Sequence, residues 1–176
     1  MKNIQSSIVI TALLFAGFVS CVSKPNKAQQ SETEGKQAHQ NNAVAMLPAL
    51  QMMDVNGNQI NMASLKGKKV FVNLWATWCP PCKAEIPSIE ALYSKVDTGK
   101  IAFVMLSLDD NFEQAKTYAK KNQLKSPVYY AAEDLAAVFK TDGIPATFIF
   151  NGKGELIKQN NGADNYDTNE YLQLLK

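Results

Sequence analysis

The chain has 176 residues, 46% of them apolar, and a formal charge of +2, which gives no pull toward nucleic acid. All 18 basic residues are lysines, so there is no guanidinium fork for bidentate recognition of phosphates or base edges. The single histidine, His39, falls in a polar stretch, so catalytic triads, Cys–His pairs and most zinc or copper sites lack the residue they need.

Lys2 precedes an apolar run from Ile8 to Val19, shorter than the ~20 residues of a membrane-spanning helix and suited to a signal-peptide core. The run closes at Ser20–Cys21, which resembles the lipobox of bacterial lipoproteins, whose cysteine is acylated and becomes the mature N-terminus. Phe18 and Val19 depart from the usual residues there, and ordinary cleavage beside an incidental cysteine is the alternative. Two acyl chains would anchor the protein stably to a membrane and place it outside the cytoplasm, where disulfides persist. Residues 1–20 thus read as a signal peptide. Residues 21–45, dominated by Gln, Asn, Lys, Glu and Ser, read as a lipidated Cys21 followed by a flexible tether.

From Met46 to Lys176 the pattern is that of one domain. Val55–Asn58 carries an Asn-Gly turn signal between two short strands. Lys69–Trp75, KVFVNLW, is β-rich and mostly apolar, which predicts a strand buried on both faces. Pro80 to Val96 predicts a helix, with Ile86, Ile89, Tyr93 and Val96 at helical spacing and Pro87 inside it. Ile101–Leu108 is a second buried strand. Asp110 or Asn111 is placed to cap a helix reaching about Asn122, with Phe112, Ala115 and Ala119 inward. Lys116, Lys120, Lys121 and Lys125 form its solvated side. A strand at 126–131, a short helix at 133–140 and a hairpin of 144–150 with 154–159 follow. Asp167, with Glu170 three residues on, is a capping-box start for a last helix. The order predicts an α/β sandwich with a mixed sheet and helices on both faces.

The stretch ATWCPPCKAEIP (76–87) carries the chemistry. Structural zinc takes four ligands, and the domain offers only Cys79 and Cys82, so no metal site is expected. A purely structural disulfide closing so small a loop would contribute little stability. A redox pair has positive physics behind it. Cys79 opens a helix, where unpaired N–H groups and the dipole favour its thiolate and lower its pKa. Pro80 and Pro81 cost little in a first turn. Cys82 lies nearly one turn deeper, placed to attack a mixed disulfide without rearrangement of the chain. Cys79 is therefore expected to be exposed and Cys82 shielded. Trp75 and Trp78 would shield the pair, although core packing explains Trp75 equally well.

WATWCPPCKAEIP resembles the active site of the thioredoxin superfamily, in its TlpA/ResA-like branch of membrane-tethered thiol–disulfide oxidoreductases. The leading hairpin, the LKGKKVFVNLWATWCPPC run, the extra helix and strand at 111–130, and GIPATFIF extend the likeness over nearly all of 46–176. It implies a thioredoxin-like fold: a central mixed sheet flanked by helices, an N-terminal hairpin and a helix–strand insert. It also implies that Cys79 is the nucleophile and Cys82 the resolving cysteine, with no cofactor beyond their disulfide. Pro145 would be cis, and the Ile144 backbone, with Trp78, Pro80 and Pro81, would meet an extended substrate. Thioredoxins proper carry a buried aspartate where this chain has Asn73; the branch instead has a glutamate at the position of Glu85. Glu85 is either the proton acceptor for Cys82 or a first-turn carboxylate complementing the helix dipole. The activity implied is that of a monomeric reductase of exported proteins such as apocytochrome c, re-reduced by a membrane electron donor. A disulfide oxidase or isomerase is the rival, and a non-catalytic binding lipoprotein a weaker one.

Overall fold

The computed structural model describes residues 44–176. The signal peptide, Cys21 and most of the tether lie outside the described residues. Sheet contact begins at Ala45, whose carbonyl accepts the Leu156 N–H at 2.8 Å.

Strands β1 (Gln51–Asp54) and β2 (Gln59–Asn61) form the leading hairpin. Asp54 holds its turn by accepting the N–H groups of Asn56 and Asn58 at 2.8 and 2.9 Å, and Gly57 supplies the positive φ of +88° that the reversal needs. Strand β3 (Lys69–Trp75) leads into helix α1 (Pro80–Lys95), and β4 (Ile101–Ser107) into α2 (Phe112–Lys121), which Asn111 caps. Strands β5 (Val128–Ala131), β6 (Ala146–Phe150) and β7 (Leu156–Asn161) precede the last helix, α3 (Asn169–Leu175). The seven strands lie in the order β2-β1-β5-β4-β3-β6-β7, with β3, β4 and β5 parallel and the remaining pairs antiparallel. This mixed sheet is the thioredoxin-like architecture.

The two-residue period of the strands splits the core. Phe71, Trp75, Phe103 and Met105 face one side, where Ile86, Ile89 and Leu92 of α1, Phe112 of α2 and Tyr171 of α3 pack on them. Val72, Leu74, Val104, Leu106 and Phe148 face the other. All three α-helices thus cover one face, which corrects the expectation of helices on both: the segments over the second face form no α-helix. Leu47, Leu50 and two 3₁₀ turns, Met62–Leu65 and Ala137–Phe139, cover the second.

Two local expectations are corrected here. The helix at 133–140 is a single 3₁₀ turn, Ala137–Phe139. Its apolar residues run consecutively from Leu135 to Phe139 rather than at helical spacing; Leu135, Ala136, Val138 and Phe139 pack on the second face while Ala137 is exposed, and Glu133 is held to β1 by the Gln51 N–H at 2.8 Å. The cap of α3 is Thr168, whose Oγ1 accepts the Tyr171 N–H; Asp167 is taken by an ion pair with Lys95 and Glu170 by one with Lys158.

Candidate active site

The site sits where β3 and β4 end and β6 begins. Cys79 is the N-cap of α1 with extended backbone (φ −95°, ψ 103°), and its Sγ accepts the Cys82 N–H at 3.2 Å. A sulfur thus meets a helix-terminal N–H that has no carbonyl partner. Pro80 and Pro81 fill the first two helical positions, where a missing N–H costs nothing, and both are exposed. Cys79 and Cys82 are joined as a disulfide with Cα atoms 5.3 Å apart.

The expected exposure of Cys79 is corrected: it retains 3% and Cys82 none. The reason is the covering loop between Phe139 and β6. The Ile144 carbonyl oxygen lies 3.8 Å from Cys79 Sγ, and the Ile144–Pro145 peptide is cis. Trp78, 61% exposed, stands beside the pair, whereas Trp75 is wholly buried in the core. Trp78 and Ile144, with Leu74, Leu108, Leu135 and Phe139, line an apolar groove of about 500 Å³ next to Cys79.

Two buried polar clusters flank the cysteines. Asp109 is 1% exposed and receives the Thr77 N–H on both oxygens (3.1 and 3.2 Å), the Thr77 hydroxyl at 2.6 Å and the Ser107 hydroxyl at 2.8 Å. It ties the loop before Cys79 to the end of β4. The second cluster centres on Glu85, one turn past the pair and 3% exposed. Its Oε1 accepts from Asn73 Nδ2 at 2.7 Å and its Oε2 from the Asp164 N–H at 3.1 Å. Asn73 also donates to Thr147 Oγ1 at 2.9 Å, which accepts the Tyr166 hydroxyl at 2.6 Å. Burial pushes the Glu85 carboxyl up to about 7; the bonds from Asn73 and Asp164 oppose this, and the nearby Asp164 charge adds to it. Burial also raises Tyr166 to about 12, so it remains a proton donor through the neutral range. A buried carboxyl poised near neutrality, three residues past Cys82 on the same helix, can take up and release a proton.

The structure therefore gathers Trp78, Cys79, Pro80, Pro81, Cys82, Glu85, Ile144 and Pro145 into one region. Sequence reading missed Thr147, Tyr166, Asp164 and Asp109, and no local pattern marks them. Among the described residues, no cluster of three or more His, Cys, Asp or Glu side chains could hold a metal ion. None of their helices is long and apolar enough to cross a membrane.

The Redoxin family model matches residues 21–175. Thiol-disulfide oxidoreductase ResA of Bacillus thuringiensis subsp. konkukian (strain 97-27) is 32% identical over 130 residues, spanning 72% of this chain and 74% of that relative. ResA of Bacillus subtilis (strain 168) is 28% identical over 131 residues, 73% of each. Among solved structures, StoA from Bacillus subtilis has a TM-score of 0.59 at 27% identity, covering 73% of this chain and 98% of that one. With the Cys-x-x-Cys pair on a helix N-terminus of this fold, the chain belongs to the Redoxin family and is a ResA-like thiol–disulfide oxidoreductase of the thioredoxin superfamily.

Proposed function

We propose that the enzyme reduces disulfides of exported proteins outside the cytoplasm, with Cys79 as the attacking thiol and Cys82 as the resolving one. The observation that carries the reading is the position of Cys79: at the helix cap, accepting an N–H, beside the Ile144 carbonyl and the apolar groove. In the reduced enzyme the same N–H stabilises a Cys79 thiolate. That thiolate attacks one substrate sulfur, the substrate S–S bond breaks, and the other sulfur leaves as a thiolate. Cys82 gives its proton to Glu85 and attacks Cys79. The mixed disulfide breaks, the second substrate thiolate leaves, and the Cys79–Cys82 disulfide is regenerated. Two electrons have passed to the substrate, and a membrane dithiol donor restores them. Ile144 and Pro145 would receive an extended substrate segment, with Trp78, Pro80 and Pro81 at its edge.

Apocytochrome c or another exported protein, in its disulfide form, fits as substrate, and lipid on Cys21 would keep the enzyme at the membrane. Pro80, beside the attacking cysteine, keeps the oxidase or isomerase reading in play. Trapping decides the roles. Cys82→Ser is expected to accumulate a mixed disulfide through Cys79, visible on non-reducing gels, and Cys79→Ser to accumulate none. Better trapping by Cys79→Ser would reverse the assignment.

A further inference from the structure

Glu85 is received in the interior as an anion, since each of its oxygens faces a donor: Asn73 Nδ2 at Oε1 and the Asp164 N–H at Oε2. Burial nevertheless brings its carboxyl to about 7, so the protonated form is well populated near neutral pH. A buried O–H needs an acceptor. Among the described residues, the buried side-chain acceptor without a partner is Asn73 Oδ1, on the amide that already touches Glu85.

The Asp164 N–H cannot change from donor to acceptor, but a side-chain amide can by turning half a revolution. Turned, Asn73 would present Oδ1 where Nδ2 now lies, 2.7 Å from Glu85 Oε1 and 2.9 Å from Thr147 Oγ1. Thr147 suits both orientations. Its hydroxyl accepts from the NH₂ in one and donates to the carbonyl in the other, while Tyr166 donates to it at 2.6 Å in both.

We propose that Asn73 is a positioning residue whose side-chain amide inverts with the protonation of Glu85, holding that carboxyl in place in both states. With Glu85 ionised, the NH₂ donates to Glu85 and Thr147; with Glu85 protonated, the carbonyl accepts from both. Either orientation leaves the far end of the amide unpaired, so the proton on Glu85, which turns the facing oxygen from acceptor to donor, decides between them. The inference rests on Glu85 as the proton acceptor for Cys82, and it explains how the carboxyl gains a proton without swinging away. The other titratable groups around Glu85 are Cys79 and Cys82 at the start of its helix, Asp164 and Tyr166 after β7, and Tyr171 of α3, whose hydroxyl donates to Asp164 at 2.5 Å. Asp164 engages Oε2, leaving Oε1 to Asn73.

The test follows the Asn73 side-chain amide and the Glu85 carboxyl by NMR in the full reduced chain, from pH 5 to 9. The amide resonances should move with the same midpoint as the carboxyl, and should be flat in Glu85→Gln. Asn73→Leu removes a donor to the anion, so the Glu85 midpoint should rise by about one unit. Turnover at pH 7 should then fall up to about tenfold and recover at higher pH, a recovery that a purely structural role would not give. If that variant fails to fold, the wild-type titration alone decides. An amide that stays flat while the wild-type carboxyl titrates overturns the inversion. Wild-type turnover in Glu85→Gln sinks the proton-acceptor reading instead; the inversion itself is upheld if the NOE from the Asn73 NH₂ to Thr147 is lost below the Glu85 midpoint, and overturned if it persists there.

Discussion

Two carboxylates are buried beside the cysteine loop, and the fold treats them in opposite ways. Asp109 has four donor contacts within 3.2 Å, supplied by Thr77 and Ser107 from the two strands' ends. Glu85 has two, and one comes from an amide that can turn. A carboxylate saturated with donors repays its desolvation and becomes a brace. One left partly satisfied in an equally buried place is pushed toward its neutral form, and so becomes available for proton exchange. Burial alone does not distinguish a structural acid from a chemical one; the donors around it do.

The largest effect expected from breaking this contrast is on stability, at Asp109. Asp109→Ala strands the Thr77 N–H and two hydroxyls, and should cost about 3 kcal/mol in urea unfolding. A loss below about 0.5 kcal/mol would mean that the loop before Cys79 does not depend on this brace.

Glu85 should show its effect through pH. The unfolded residue ionises near 4.5 and the folded one near about 7. Between those values the folded chain holds the extra proton, so stability falls as pH rises through the window and is level above it. The total fall is at most about 3 kcal/mol. Glu85→Gln should remove this slope and be more favourable relative to wild type at pH 8 than at pH 5. Parallel stability curves for the two proteins would show that the donors around Glu85 satisfy it as fully as those around Asp109.

The smallest stability change belongs to Trp78, which belongs to neither cluster. Trp78→Ala should alter unfolding by about 0.5 kcal/mol or less, because the side chain is already largely in water. It should nevertheless slow exchange with protein disulfides, since it forms one wall of the groove beside Cys79. Unchanged exchange with protein substrates would remove the groove from their path.

Much of this architecture was legible in short windows of the chain. KVFVNLW and IAFVMLSL carry strands because short apolar runs rich in Val, Ile and Phe suit a sheet buried on both faces. The Asn-Gly turn and Asn111 act within a few residues of themselves. The cap of Cys79, with two prolines in the first turn, is equally local. Where local signals compete, the chain was harder to read. Asp167 and Thr168 are both good caps, and an ion pair with Lys95, 72 residues away, removes the first from contention. Leu135–Phe139 holds as much apolar surface as a helix needs, but its spacing follows the sheet it lies on.

The reactive pair, its helix and the succession of elements along the chain follow from neighbours in sequence, because hydrophobic period, turn chemistry and capping act over one or two turns. The environment of Glu85 does not. Its partners Asn73 and Asp164 are 12 and 79 residues away, and Thr147 joins Asn73 across 74. No spacing rule links such positions. Only when β3, β6 and the loop after β7 close around α1 does Glu85 lose its water, and that desolvation brings its carboxyl to about 7, where a helix-surface glutamate in solvent would stay ionised.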